Sequence, residues 1–395
     1  MSLLIGWIIF IAALLISITL HEAGHLVTAK KFGMKATQFF AGFGPTLWST
    51  QKGETEYGIK AVPLGGFVKI IGMTSLEDVD PEDESRSLRS KPGWQRVIVL
   101  VAGSVMHFVL AAVLLFGLFL GVELANQNTT KIGVVDSCVP ASQTATSCQA
   151  SDPRSPAHLA GLRVGDKIVA FAGQPVRSWN DLAKAIRSKT VGSEATLTVR
   201  RGGELITLRT KLAAIKGRSG AFLGVSPAVV YQRVGPVRAI TSTGSFVGTV
   251  VSGSAAVITE LPKAIPKLFA HNRANTAGGK VTSIVGAGDA TGQVIGANLG
   301  WQEKVTFTVL IVASLNIFVG LFNLLPLLPL DGGHIAVVLY ERLRASIARL
   351  RGRPDPGLVD MRKLIPVSFG IFAILVFIGL MLIAADLFNP VHIIQ

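Results

Sequence analysis

The chain has 395 residues, enough for two or three domains. Hydrophobic residues make up 49%, charged residues only 16%, and mean hydropathy is +0.51; this excludes an ordinary soluble protein and points to several membrane spans. The net charge of +14 arrives without a nucleic-acid-binding motif or basic helix, so no nucleic-acid partner is expected and the lipid bilayer is the partner that basic flanks serve.

The opening stretch, MSLLIGWIIFIAALLISITL, lacks a basic start and a small-residue cleavage site, so it reads as a retained first span rather than a signal peptide. Four apolar runs are long enough to cross a bilayer as helices, at about 3–29, 97–122, 305–330 and 364–387. Their basic neighbours are Lys30, Lys31, Lys91, Arg96, the arginines at 342, 344, 349, 351 and 353, Arg362 and Lys363. These all fall on one face if both termini lie outside, which predicts cytoplasmic segments at 31–94 and 335–363 and an extracytoplasmic segment at 123–300.

The sequence divides accordingly into four parts: 1–122, the first half of a membrane core, with a β-hairpin meander at 40–72; a module at 128–214; a linker at 215–304; and a second membrane half at 305–395. In the meander, short glycine-bounded strands flank a turn at Lys52-Gly53. The acidic run SLEDVDPEDESRS after it reads as a mobile linker.

Within 128–214, two apolar strands flank Arg201-Gly202-Gly203 as a hairpin, and Ser178 with Asp181 forms a helix-capping signature. A compact α+β module is expected, similar to the PDZ domains of bacterial proteases, which bind extended peptides by adding a strand. A plain structural ectodomain fits the same pattern. Cys138 and Cys148 lack metal-site spacing; a local disulfide and two separate thiols both remain open. In the linker, ITELPKAIPKLFAHN is too short to span and reads as a broken amphipathic helix at the membrane surface.

Chemistry concentrates in HEAGH at the end of the first span. His21 and His25 are one helical turn apart, so both imidazoles reach one metal ion, and Glu22 stands where it can take a proton from water. Ionisable groups at membrane depth cost about 3 kcal/mol each, so they mark function. A tetrahedral catalytic zinc needs a third protein ligand; Asp331 in NLLPLLPLDGGH, ending the third span, is the candidate, with His334 as the alternative. Gly332 and Gly333 permit a tight turn, Pro326 and Pro329 break the helix where it lines a cavity, and Asn323 is a candidate donor to the substrate or oxyanion. His334 reads as an orienting or structural residue, and His107 and Asn316 as interhelical hydrogen-bonding residues. His158, His271 and His392 stand far from any cluster.

HEAGH, the run GFGPTLWSTQKGETEYGIKAVPLGGFVKI, a single PDZ-like module, SIVGAG and FNLLPLLPLDGGH together resemble the site-2 protease family of intramembrane zinc metalloproteases, with the actinobacterial regulator-of-sigma proteases the most similar branch. The resemblance covers nearly the whole chain. It implies a polytopic α-helical membrane protein of about four spans, with a membrane-associated β-hairpin and one inserted extracytoplasmic PDZ-like domain, in the bacterial cell membrane. It also implies Zn2+ at His21, His25 and Asp331, with Glu22 as base. Asn323, Pro326, Pro329 and the hairpin glycines Gly42, Gly44, Gly65 and Gly66 would contact substrate. Asn316 is not carried over, because it sits seven residues ahead of Asn323. The implied substrates are single-span membrane proteins such as anti-sigma factors, trimmed beforehand by another protease, with peptide termini or segments docking on the PDZ-like module. Two rivals stand beside this reading, a metal transporter and a non-catalytic scaffold. Four spans with one polar cluster are thin for a transport path.

Overall fold

The computed structural model describes residues 2–73, 77–126, 128–141, 148–149, 151–215, 219–270, 273 and 282–390; His271, His392 and the end of the ITELPKAIPKLFAHN run lie outside the described residues. The chain forms two compact units, residues 1–122 with 235–395, and residues 123–234.

In the first unit, α1 (Ser2–Lys31) crosses α2 (Gly93–Gly121) at small residues. A Cβ on Gly24 would lie 2.6 Å from the Ala102 carbonyl oxygen, so the glycine of HEAGH is what lets the two backbones approach. α1 also packs against α6 (Ile284–Gly296), where Gly6 meets Gly292 and Gly288 meets the Trp7 ring. Among the described residues, four helical segments are long and apolar enough to cross a membrane: α1, α2, α7 (Trp301–Asn323), and 361–388, which contains α9 (Ile365–Phe388). α9 is tied near its end by Asp386, which accepts from Arg273 at 2.7 Å and from the Ser283 amide at 2.6 Å.

β1 (Ala36–Lys52) and β2 (Thr55–Ile70) form the expected hairpin, turning at Lys52 and Gly53. Both strands bend, so that Phe39 lies opposite Val68 on one side and Tyr57 on the other, while 46–52 pairs with 55–60. The far part of the hairpin exposes Phe43, Leu47, Trp48 and Ile59.

Three expectations for this unit need correction. The run 305–330 is not one helix. α7 stops at Asn323, and α8 (Asp331–Leu350) starts afresh at Asp331, because Pro326 and Pro329 cannot continue a helix. The Gly/Ser/Ala-rich part of the linker is helical too: α5 (Pro236–Ala264) packs against α2 and α7, which offsets its poor intrinsic propensity. Its stretch 236–257 and the following stretch 259–267 make a further apolar pair, bent by 52° between them. The described end of the acidic run, 83–86, is pinned rather than loose, since Lys35 pairs with Asp83, Arg86 grips Glu54 through two bonds of 2.8 and 2.6 Å, and Arg89 bonds Glu84.

The second unit has a four-stranded antiparallel sheet in the order β6 (Gln174–Pro175), β5 (Lys167–Phe171), β7 (Glu194–Arg201), β8 (Glu204–Lys211). The helices are α3 (Pro156–Leu159) and α4 (Trp179–Arg187), and the Ser178 hydroxyl accepts from the Asp181 amide as the capping signature predicts. Ile168, Phe171, Leu182, Leu197 and Val199 form its core. The unit extends beyond the expected 128–214. β3 (Leu124–Asn126) and β4 (Ile132–Val135) pair in two-stranded sheets with β10 (Val230–Gln232) and β9 (Val225–Pro227) respectively, which follow β8 in the chain. Cys138 and Cys148 form a disulfide.

Candidate metal centre

His21 and His25 occupy successive turns of α1 and are both buried. The His25 Nδ1–H donates to the carbonyl oxygen of Val99 on α2 at 2.7 Å. A carbonyl only accepts, so this bond fixes the tautomer and leaves Nε2 with its lone pair free. That Nε2 lies 3.1 Å from the Nε2 of His21. Asp331 Oδ2 completes a triangle at 3.3 Å from His21 and 3.5 Å from His25, and makes no hydrogen bond there although buried. Ligands about 2.0–2.1 Å from a tetrahedral zinc stand roughly 3.3 Å apart, so the triangle has the edge length such an ion imposes. Two imidazoles and one carboxylate are also the donor set zinc favours, and they leave a fourth position open. Among the described residues these three form the one cluster of this kind.

The surroundings hold the triangle open. A Cβ on Gly103 of α2 would lie 2.3 Å from His25 Nε2 and 2.7 Å from His21 Nε2, so no larger residue fits. Asp331 is fixed from the other side. Cβ atoms on Gly332 and Gly333 would stand 2.2 Å from the Leu325 carbonyl oxygen and 2.5 Å from the Leu328 amide, so the loop carrying Pro326 and Pro329 lies directly on the first turn of α8. The same first turn presents its positive dipole end to the Asp331 carboxylate.

Glu22 shares a cavity of about 210 Å³ with His21, His25 and Asp331, walled by Phe67, Val68 and Leu100 among others. Its Oε2 accepts from the Val68 main-chain N–H at 3.0 Å, which ties the hairpin to the end of α1 that carries HEAGH. A small neighbouring cavity shares Met73, Leu88 and Leu100 with this one and is lined by Arg89, Arg96, His334 and Glu341. His334 therefore faces polar groups beside the centre.

Behind His21 lies a buried relay of hydrogen bonds. The His107 Nδ1–H donates to Asn316 Oδ1 at 2.8 Å, and Asn316 Nδ2 donates to Ser17 Oγ and to the Val312 carbonyl oxygen at 3.0 and 2.8 Å. The His107 ring centroid is 5.0 Å from that of His21. Asn316 and His107 thus link α1, α2 and α7 as interhelical residues, directly beside the centre. The remaining candidates are placed differently. Asn323 is half-buried at the end of α7 and makes no hydrogen bond to the cluster among the described residues. Gly66 lies against α1, where a Cβ would be 3.7 Å from Glu22 Cγ, while Gly42 and Gly44 stand at the bend of β1 and Gly65 packs on the Phe43 ring.

Sequence reasoning missed Gly103, Val68 and Val99. Gly103 carried a faint signal as a small residue in an apolar run beside His107. Val68 and Val99 act through main-chain atoms and carried none.

The family model for peptidase family M50 matches residues 9–353, and the chain belongs to that family. It is similar to the zinc metalloprotease Rip1 of Mycobacterium tuberculosis H37Rv, 35% identical over 416 residues and 100% of both chains. The zinc metalloprotease Rip1 of Mycolicibacterium smegmatis is 36% identical over 414 residues, covering 99% of each. Among solved structures, the PDZ domain of an SdrC-like protein from Listeria monocytogenes matches 25% of this chain and 93% of its own length, at 22% identity and a TM-score of 0.17.

Proposed function

We propose that this multi-pass bacterial inner-membrane protein is an intramembrane zinc metalloprotease of regulated intramembrane proteolysis, with zinc held by His21, His25 and Asp331 and with Glu22 as general base. The observation that carries the residue assignment is the triangle of Nε2, Nε2 and Oδ2 atoms at 3.1–3.5 Å, kept open by Gly103. Zinc bound there supplies a Lewis acid that lowers the pKa of water and polarises the scissile carbonyl.

The protein's own groups do the rest. Glu22 takes the proton of the attacking water and returns it to the leaving amine. The Val68 amide holds the Glu22 carboxylate in the shared cavity. The Val99 carbonyl keeps His25 in the tautomer that binds metal. A substrate helix hides its own carbonyls, so it must unwind; the hairpin around Gly42, Gly44, Gly65 and Gly66 presents strands on which an unwound segment can pair, and the loop of Asn323, Pro326 and Pro329 borders the centre.

The substrates are single-span membrane proteins such as anti-sigma factors, already trimmed outside the membrane. Four spans with both termini outside put the basic ends of α1, α2 and α9 in the cytoplasm. The second unit is then extracytoplasmic, a placement supported by the Cys138–Cys148 disulfide. We assign it as a PDZ-like domain. A cavity of about 270 Å³ between α4 and the segment 221–227, with Trp179 and Ile186 in its wall, is the feature that suits an extended peptide.

The deciding experiment is cleavage of a tagged single-span substrate by purified protein in detergent, beside Glu22→Gln and a chelated sample. Cleavage by wild type alone, restored by zinc after chelation, is the expected result. A Glu22→Gln variant that cuts as fast as wild type overturns the assignment of the base.

A further inference from the structure

α8 has a surface that catalysis does not use. The helix is not among those apolar enough to cross a membrane, yet it exposes Leu339, Tyr340, Leu343, Ile347 and Leu350. At about 100° per residue these five side chains fall in one stripe roughly 100° wide. Arg342 and Arg349 border one edge of it, and Arg344 and Arg351 border the other. The opposite face is fixed to the protein: Val338 is buried, and Glu341 accepts from Arg96 of α2 at 2.8 Å and from the Val359 amide at 2.9 Å. Arg344 is partly committed, donating to the Pro356 and Gly357 carbonyl oxygens, and the Arg342 side chain runs past Gly93 at the start of α2; Arg342, Arg349 and Arg351 are exposed.

A protein segment on an apolar stripe would not by itself call for cations along both edges; a lipid surface does. Acyl chains take the stripe, and headgroup phosphates meet arginines that reach outward from its rims. The connections of α8 fix its level in the membrane. It follows α7 after the short loop 324–330, and residues 351–360 lead from it into the span 361–388.

We propose that α8 is an interfacial helix that seats this stripe in the bilayer and its arginines on anionic phospholipid headgroups, and that this seating sets the position of Asp331, the first residue of the same helix. Glu341, clamped by Arg96 near the middle of α8, is the pivot. The end bearing Leu350 lies on the lipid side of that pivot, and Asp331 lies on the metal side. The link to Asp331 rests on the zinc reading; the lipid surface itself does not.

The test uses the full chain in nanodiscs of phosphatidylcholine, with and without phosphatidylglycerol. Single spin labels are placed through Leu343→Cys, Ile347→Cys, Arg342→Cys and Arg349→Cys; the two native cysteines are paired and do not react. With phosphatidylglycerol, labels at 343 and 347 should collide with oxygen in preference to a water-soluble nickel chelate, and labels at 342 and 349 the reverse. The contrast should shrink in phosphatidylcholine alone and in the triple variant R342Q/R349Q/R351Q, where each arginine removed weakens seating roughly fivefold. The rate of substrate cleavage should follow the seating. Nickel access at 343 and 347 in both lipids overturns the proposal, and so does shielding from both reagents, which means that protein covers the stripe. Seating with an unchanged cleavage rate removes the link to Asp331. Seating with no cleavage by any form counts against the zinc reading and upholds the lipid surface.

Discussion

The main-chain N–H of Val68 donates to the Glu22 carboxylate at 3.0 Å, so the hairpin and the residue proposed as the base are joined by one hydrogen bond. Hydrogen bonds to charged groups are worth about 1.5–3 kcal/mol. Val68→Pro removes the donor. It spares the pairing of Val68 with Phe39, because this N–H points away from that partner. The expected outcome is a fall in kcat of roughly tenfold to a hundredfold with little change in KM, while Val68→Ala keeps most of the activity. Steady-state cleavage of a single-span substrate by both variants decides it; equal losses in the two would locate the effect in the side chain.

Gly103 makes a sharper case, because the space it leaves is the space of His21 and His25, the proposed ligands. An added methyl stands 2.3 Å from His25 Nε2, and the imidazole can move only by breaking its bond to Val99. Gly103→Ala should therefore purify as a folded membrane protein with little zinc and with activity down by about a hundredfold or more. Metal analysis of the purified variant is the check. Full zinc occupancy would mean that α1 and α2 slide apart more easily than the close approach at Gly24 suggests.

The features legible in the sequence are those whose cause is local. HEAGH encodes its own geometry through helical spacing, DGG encodes a tight approach, and Ser178 with Asp181 or Arg201-Gly202-Gly203 encode a cap and a turn. What was illegible depends on partners distant in sequence. Nothing near Gly103 announces that two histidines eighty residues earlier will face it. α5 hid because glycine, serine and threonine argue against helix until α2 and α7 are there to pack on. The acidic run looked loose because its anchors, Lys35 and Glu54, lie on other segments. Asp331 was expected at the end of the third span, but prolines end that span before reaching it and Asp331 begins α8.

Asn316 joins three helices through Ser17, His107 and the Val312 carbonyl. Asn316→Ala strips the partner from the buried His107 Nδ1 and leaves the Ser17 hydroxyl one bond short. Leaving a buried polar group unsatisfied costs about 1–3 kcal/mol. Asn316→Ala should lower the thermal midpoint in detergent and, through the contact of His107 with His21, slow cleavage more than zinc loss alone explains. The comparison is His107→Ala, which removes the same bond from the other end. If the relay acts as one unit, the double variant is no less stable than the worse single variant. Additive losses would mean two independent packing sites.

In the second unit, the buried Asp166 carboxylate accepts from Arg201 Nε and Nη2, both at 2.8 Å, and from the Arg163 amide at 2.9 Å. The Arg201 guanidinium, against the opposing effect of burial, holds the Asp166 carboxyl below its ordinary value. A depressed folded-state pKa stabilises the fold above the unfolded value of about 3.9, and that contribution disappears as pH falls through the folded value. Acid should therefore loosen β5 and β7 as pH drops below about 4. Asp166→Asn should lose on the order of tenfold in amide protection of those strands at neutral pH and show a flatter decline in acid. Hydrogen exchange of the full chain, followed at peptides from 167–171 and 194–201, reads both effects. Parallel pH profiles for wild type and Asp166→Asn would place the acid sensitivity of the unit in a different carboxylate.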